Sequence, residues 1–305
     1  MTAGYATWPT TVAAERLHPP PAHLARAILL RALDEDHAFE DLTTRITVSP
    51  GQTGRAEIVA RAPGVSAGLP AAEVAFKLLD PELRWEARLH DGEPFAAGDV
   101  LASVAGDLGA ILSAERTALN FLQRLCGIAT LTRACVTAVE GIKVRIADTR
   151  KTTPGLRVLE RYAVRAGGGF NHRDGLRDGV LIKDNHLAAA RARGLSLRTV
   201  IEQARARAPH TVRIEVECET AAEALEAVDA GAEAVLLDNM PTEEMARVAA
   251  AVRGRALLEA SGGITLENIR AVAESGVDII SLGALTHSAR ALDLGLEVRP
   301  ESGDA

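Results

Sequence analysis

The chain has 305 residues, 47% of them hydrophobic and 25% charged, which is room for one large globular domain or two ordinary ones. No apolar run approaches the ~20 residues that span a bilayer, and a net charge of −7 argues against broad nucleic-acid binding. Three cysteines, Cys126, Cys135 and Cys218, form neither a CxxC pair nor a metal spacing, so a reduced, cytoplasmic protein is expected.

Met1 to His18 lacks the basic start and apolar stretch of a secretory signal, and with Pro19-Pro20-Pro21 it reads as a loose tail over residues 1–21. A helix is expected over Ala22 to Asp36, with Leu24, Ile28, Leu29 and Ala32 on one side. Short strands follow at Gly54 to Arg61, Leu83 to Leu89 and Val100 to Val104. The turn signals Pro63-Gly64, His90-Asp91-Gly92 and Ala97-Gly98-Asp99 separate them. A long helix is expected from Ser113 to Val139, interrupted at Gly127.

From about Ile142 the rhythm becomes strand, loop, helix. Apolar runs end at Asp148, Lys183, Glu217, Asp238, Glu259 and Leu282, at intervals that suit βα units. Thr220-x-x-Glu223 is a capping box, Thr242 and Thr265 are candidate N-caps, and Gly231, Gly254 and Gly276 suit helix C-termini. Six such units suggest an irregular or incomplete βα barrel, with a doubly wound open sheet as the alternative. The barrel is favoured because a charged or Gly-rich cluster ends almost every strand, on the face where barrels carry their sites.

Charge is unevenly spread. Residues 143–193 hold 12 basic and 5 acidic side chains, against 22 and 36 elsewhere, so this segment suits a small anionic ligand unless the clustering is chance. Lysine is rare beside 30 arginines. Of its four positions, Lys77 and Lys143 read as surface residues, whereas Lys151 and Lys183 stand in unusual neighbourhoods. Arg150, Lys151, His172, Arg173 and Lys183 form a cationic set that would repel itself without an anion. Glu217 and Asp238 end adjacent strands and could hold ribose hydroxyls, Mg²⁺ or both, or could serve helix starts instead. Ser261-Gly262-Gly263-Ile264-Thr265 and Gly283-Ala284 are consecutive late turns of the type that bind phosphate.

These motifs together resemble the quinolinate phosphoribosyltransferase family. Glu115-Arg116-Thr117-Ala118-Leu119-Asn120, Gly127-Ile128-Ala129-Thr130, Thr149 to Leu156, Gly167-Gly168-Gly169 and Asn171-His172-Arg173 carry the likeness, in order. Leu181 to His186, Glu215-Val216-Glu217, Leu237 to Met240 and Glu259 to Ile264 continue it. Two departures are the missing glycines before Asp41-Leu42-Thr43-Thr44 and Cys126 where serine is common.

The resemblance implies an α/β fold of the type II phosphoribosyltransferases. Its N-terminal α/β sandwich domain would span residues 22–118, joined by the C-terminal segment 289–305. Its catalytic βα barrel would span 119–288. It also implies a homodimer that converts quinolinate and phosphoribosyl pyrophosphate to nicotinate mononucleotide, pyrophosphate and CO₂. Arg116 from the partner chain, with Arg150, His172, Arg173 and Lys183, would surround the quinolinate carboxylates. Lys151, Glu217 and Asp238 would be catalytic and meet the pyrophosphate, ribose and Mg²⁺, with metal contact direct or through the substrate. Ser261, Gly262, Gly263, Gly283 and Ala284 would hold the 5′-phosphate. Two rivals are a relative acting on another base and an aldolase with Lys183 as its Schiff-base lysine.

Overall fold

A computed structural model describes residues 17–300, so most of the expected 1–21 tail lies outside the described residues. In chain order the elements begin with α1 (Ala22–Glu35), α2 (Leu42–Thr47), β1 (Thr53–Ala60), β2 (Gly64–Val65), α3 (Leu69–Leu79), β3 (Arg84–Ala87), β4 (Pro94–Phe95), β5 (Val100–Asp107) and α4 (Leu108–Ala138). They continue with β6 (Arg145–Ala147), α5 (Arg157–Ala166), β7 (Val180–Ile182), α6 (Asp184–Arg191), α7 (Leu197–Arg207), β8 (Ile214–Cys218), α8 (Ala221–Asp229) and β9 (Ala234–Asp238). The last are α9 (Thr242–Val252), β10 (Leu257–Ser261), α10 (Ile269–Glu274), β11 (Ile279–Ser281), α11 (Ala284–His287) and β12 (Leu294–Pro300). Among the described residues no helix is long and apolar enough to cross a membrane.

Two compact units divide the chain. The first holds residues 17–133, 151–168 and 284–300; the second holds 134–150 and 169–283. The chain passes from the first unit to the second within α4, and residues 151–168 and 284–300 count with the first.

In the first unit an antiparallel sheet runs β12-β1-β5-β3. Ala56 pairs with both Val104 and Val298, so the chain end adds an edge strand to β1. Alternation buries Ala56, Ile58 and Ala60 of β1 and leaves the residues between them less covered. Helix α1 buries Ala25, Leu29 and Leu33, a clean i, i+4, i+8 stripe, while Leu24 is exposed; the buried face is therefore turned from the one expected.

Helix α4 is continuous through Gly127, where the sequence suggests a break. Glycine is needed there for contact, not for bending. A β-carbon at Gly127 would lie 2.0 Å from the carbonyl oxygen of Arg290. The returning segment is tied down beside it, since Leu292 N–H donates to Gln123 O (3.0 Å) and Gln123 Nε2 donates to Leu294 O (2.8 Å). Gly127→Ala is therefore expected to destabilise the first unit by about 3 kcal/mol or more, read as a lower urea midpoint at unchanged slope. Full stability would show that the returning segment yields easily.

In the second unit six parallel strands run in the order β6-β11-β10-β9-β8-β7. β6, first in the chain, pairs with β11, last of the set, as happens when a sheet winds in one direction and curls back on itself. A doubly wound sheet would instead reverse direction after its first strands. On the other side of β6 a single residue, Phe170, bridges Ala147 in parallel. No pairing joins Phe170 to β7 among the described residues, so the barrel is incomplete.

Three capping details sharpen the sequence picture. Thr220 caps α8 by accepting from Glu223 N–H (3.3 Å). Thr242 is the first residue of α9 and makes no cap. The helix expected at Thr265 begins only at Ile269, behind Asn268, whose side-chain oxygen accepts from Thr265 N–H (2.8 Å).

Candidate active site

The strands of the second unit end in three levels of paired residues. Taking every second residue inward, Asp238, Ser261 and Ser281 share the outermost level, Glu217, Leu236, Glu259 and Ile279 the second, and Glu215, Ala234 and Leu257 the third. Barrel interiors are filled mainly by branched apolar side chains. Here three carboxylates, Glu215, Glu217 and Glu259, stand among them.

His172 lies against two of these acids. Its Nε2 is 3.1 Å from Glu259 and 3.6 Å from Glu215. Its Nδ1 accepts the backbone N–H of Arg173 (2.7 Å). Asp148, fully buried at the end of β6, accepts from the N–H of His172 (2.7 Å) and from Asn171 Nδ2 (2.5 Å). Burial, the largest influence on His172, disfavours its charged form. The bond to Glu259 and the charges of Glu259, Glu215 and Asp148 outweigh burial and raise its pKa. Burial, followed by the charge of Glu259, pushes Glu215 up to about 8, with His172 and Arg173 pulling the other way.

Arg150, Arg173 and Lys183 belong to the same unit. Arg173 donates from Nη1 to Gly179 O (3.1 Å). Its pKa is lowered first by burial and then by the nearby positive charge of Arg150. Two guanidinium groups close enough to disfavour one another are a natural clamp for an anion. Lys183 follows β7 and forms an ion pair with Glu217. With 43% of its side chain exposed, Lys183 lacks the desolvated pocket that a Schiff-base lysine needs.

At the next strand ends the backbone is strongly bent. Asn239 (φ 51°), Gly262 (φ 87°) and Gly263 (φ 64°) all adopt left-handed conformations. Asn239 N–H donates to Ser261 O (2.9 Å), and its side-chain amide donates to Asp238 (3.1 Å). A β-carbon on Gly262 would fall 2.4 Å from the Asn239 side-chain oxygen, so only glycine lets the two loops meet. These loops and Asn268 line a cavity of about 380 Å³. The late turns do not lead straight into a long helix. α10 has six residues and starts six beyond Gly263, and α11 has four, so backbone amides of the turns rather than a macrodipole would serve an anion here.

Arg116, Lys151 and Ala284 belong to the first unit. Arg116 is exposed on α4, with 60% of its side chain open and Glu115 at 3.9 Å. Lys151 is exposed, and its carbonyl accepts from the Thr286 hydroxyl (2.8 Å). Behind it, fully buried Glu160 accepts from Thr153 N–H (3.0 Å) and hydroxyl (2.7 Å) and pairs with Arg124 (2.9 Å). Ala284 opens α11.

Two sets of oxygens could be considered for a metal. In the first, ligand atoms of His172, Glu215 and Glu259 lie within 4.8 Å of one another. The ring chemistry does not fit. Because Nδ1 accepts a backbone N–H, the proton of the neutral ring is on Nε2, which then has no lone pair to give. The second set is Glu217 and Asp238. Two carboxylates at adjacent strand ends fit a Mg²⁺ held mostly by substrate phosphates, the usual manner of that ion.

Sequence reasoning named Asp148, Asn171, Glu215, Asn239 and Glu259 within motifs but gave them no role. The signal was available for Glu259: one acid inside the apolar run Leu257-Leu258-Glu259-Ala260 of a strand buried on both faces.

The quinolinate phosphoribosyl transferase N-terminal domain matches residues 41–126 and the C-terminal domain matches residues 128–297. A probable nicotinate-nucleotide pyrophosphorylase [carboxylating] of Bacillus subtilis is 46% identical over 264 residues, covering 87% of this chain and 90% of that one. The nicotinate-nucleotide pyrophosphorylase [carboxylating] of Mycobacterium leprae is 44% identical over 290 residues, covering 90% and 97%. The solved structure of the Francisella tularensis nicotinate-nucleotide pyrophosphorylase superposes with a TM-score of 0.86 at 34% identity, covering 93% of this chain and 99% of that one. With both domains matched along nearly its whole described length, the chain belongs to the quinolinate phosphoribosyl transferase family.

Proposed function

We propose that the chain transfers phosphoribosyl from phosphoribosyl pyrophosphate to quinolinate with loss of CO₂, giving nicotinate mononucleotide and pyrophosphate. The observation that carries the reading is the gathering of Arg150, Arg173 and Lys183 in one unit with carboxylates behind them. Such a cationic mouth suits a dianion better than a monoanion.

In this reading Arg150, Arg173 and Lys183 form the quinolinate pocket, with His172 holding the backbone of Arg173, and Arg116 from the partner of a cytoplasmic homodimer completes it. Held there, the ring nitrogen attacks C1 of the ribose as the pyrophosphate leaves, through a transition state of oxocarbenium character. Glu217 and Asp238 orient the ribose. Lys151 stabilises the leaving group. Backbone amides of Ser261, Gly262, Gly263, Gly283 and Ala284 hold the 5′-phosphate. Glu217 and Asp238 would also hold Mg²⁺, directly or through the substrate, and the ion would supply charge neutralisation on the pyrophosphate. After transfer, the cationic ring nitrogen stabilises the carbanion left when the 2-carboxylate departs.

The test is incubation with quinolinate, phosphoribosyl pyrophosphate and Mg²⁺, with nicotinate mononucleotide as the expected product. Excess chelator, with metal removal verified, is expected to stop turnover, since a few side chains cannot neutralise a pyrophosphate. Full turnover without metal would overturn the Mg²⁺ assignment, and absence of the mononucleotide would overturn the reaction.

A further inference from the structure

His172 has no ring nitrogen left over for a ligand in its present setting. Nδ1 accepts from the backbone N–H of Arg173 (2.7 Å), and a backbone N–H only donates. The proton of the neutral ring is therefore on Nε2, which faces Glu259 at 3.1 Å and Glu215 at 3.6 Å. Glu259 is only 2% exposed, and its second oxygen is buried without a hydrogen-bond partner. An acid so placed inside a barrel strand costs stability and is retained where it has a task. On the backbone side, Asp148 holds the N–H of His172 and the amide of Asn171. Arg173 lies outside the regular strands, between Phe170 and β7, so its direction depends on these bonds.

We propose that Glu259 is a positioning residue: by accepting from Nε2–H it keeps His172 in the Nε2–H tautomer, and that tautomer leaves Nδ1 to hold the Arg173 backbone and aim its guanidinium. Were the proton on Nδ1, two donors would face each other and the peptide joining His172 to Arg173 would have to turn. The chain of contacts is Glu259 to imidazole, imidazole to Arg173 N–H, Arg173 to the substrate carboxylate. Only the last link rests on the quinolinate reading.

Two variants and one spectrum test this. Glu259→Gln keeps an acceptor of the same shape; Glu259→Leu keeps the volume and removes it. The leucine variant is expected to lose roughly 10- to 100-fold in kcat/KM for quinolinate, expressed in the KM for quinolinate, with the KM for phosphoribosyl pyrophosphate unchanged. The glutamine variant is expected to restore near wild-type values. In long-range proton–nitrogen spectra of the ¹⁵N-labelled protein, His172 should show a bare Nδ1 in wild type and in Glu259→Gln.

A protonated Nδ1 in wild type overturns the proposal. So does a folded leucine variant that handles quinolinate normally, or a folded glutamine variant as impaired as leucine. If the leucine variant fails to fold, the wild-type and glutamine spectra still decide. A bare Nδ1 in a wild-type protein that makes no nicotinate mononucleotide would sink the substrate reading and leave the tautomer intact.

Discussion

Replacing Arg173 by lysine is expected to lower kcat/KM for quinolinate by roughly 10- to 100-fold, since a charge-assisted hydrogen bond contributes about 1.5–3 kcal/mol and the planar fork is lost. Lysine keeps the charge, so long-range attraction to the dianion survives. Two geometric functions do not. The guanidinium holds Gly179 O, and lysine's single ammonium cannot serve that carbonyl and a carboxylate in the same plane. Turnover of nicotinate, one carboxylate short, should be poor in wild type, because one cation of the pocket then gains no carboxylate partner from the substrate, and should barely change in the variant. The measurement is kcat/KM for both acids in both proteins, beside thermal unfolding. A folded variant with wild-type rate and preference would place Arg173 outside the carboxylate site.

The second large effect concerns residues of the first unit. Arg116→Ala and Lys151→Ala should each leave the homodimer nearly inactive. Both side chains are exposed, so neither substitution should unfold the chain. If Arg116 serves the partner's site, a mixed dimer places both defects in one site and neither in the other. Random pairing of equal amounts should then return roughly a quarter of wild-type activity. No recovery despite demonstrated subunit exchange would put Arg116 in the site of its own chain, or outside any site.

Much of the second unit is written in its residues. Apolar runs ending in Asp148, Lys183, Glu217, Asp238 and Glu259 place β6 to β10, because strands buried on both faces permit polar side chains mainly where a site needs them. Thr220 shows as a helix start because its hydroxyl and Glu223 lie three residues apart in the chain. The first unit is less legible. Helix α3 buries Leu69, Ala71, Ala72, Ala75 and Phe76 on one side, but Pro70, Val74, Leu78 and Leu79 are apolar too, so no clean polar face marks it. Gly127 reads as a helix breaker, but its task is set by Arg290, 163 positions later, which no local pattern reveals.

The site shows the same division. Cations and carboxylates at strand ends are visible in chain order, yet their pairings are not. Lys183 meets Glu217 across the adjacent strands β7 and β8, and His172, in the segment after Phe170, meets Glu259 of β10, 87 positions later. Thr265 misleads for a local reason: residues 266–268 form a turn, in which Asn268 accepts from Thr265 N–H, and α10 starts only at Ile269. The loops proposed to hold phosphate turn at Gly262 and Gly263, whose left-handed backbones the residue type permits one to expect.

The central claim is phosphoribosyl transfer coupled to loss of one particular carboxylate. It is tested most directly with quinolinate carrying ¹³C in its 2-carboxylate or, separately, in its 3-carboxylate. With phosphoribosyl pyrophosphate and Mg²⁺ present, the 2-label should leave as ¹³CO₂, one for each pyrophosphate formed, and the 3-label should stay in nicotinate mononucleotide. Release of the 3-label, or a nucleotide product that retains both carboxylates, would contradict the account.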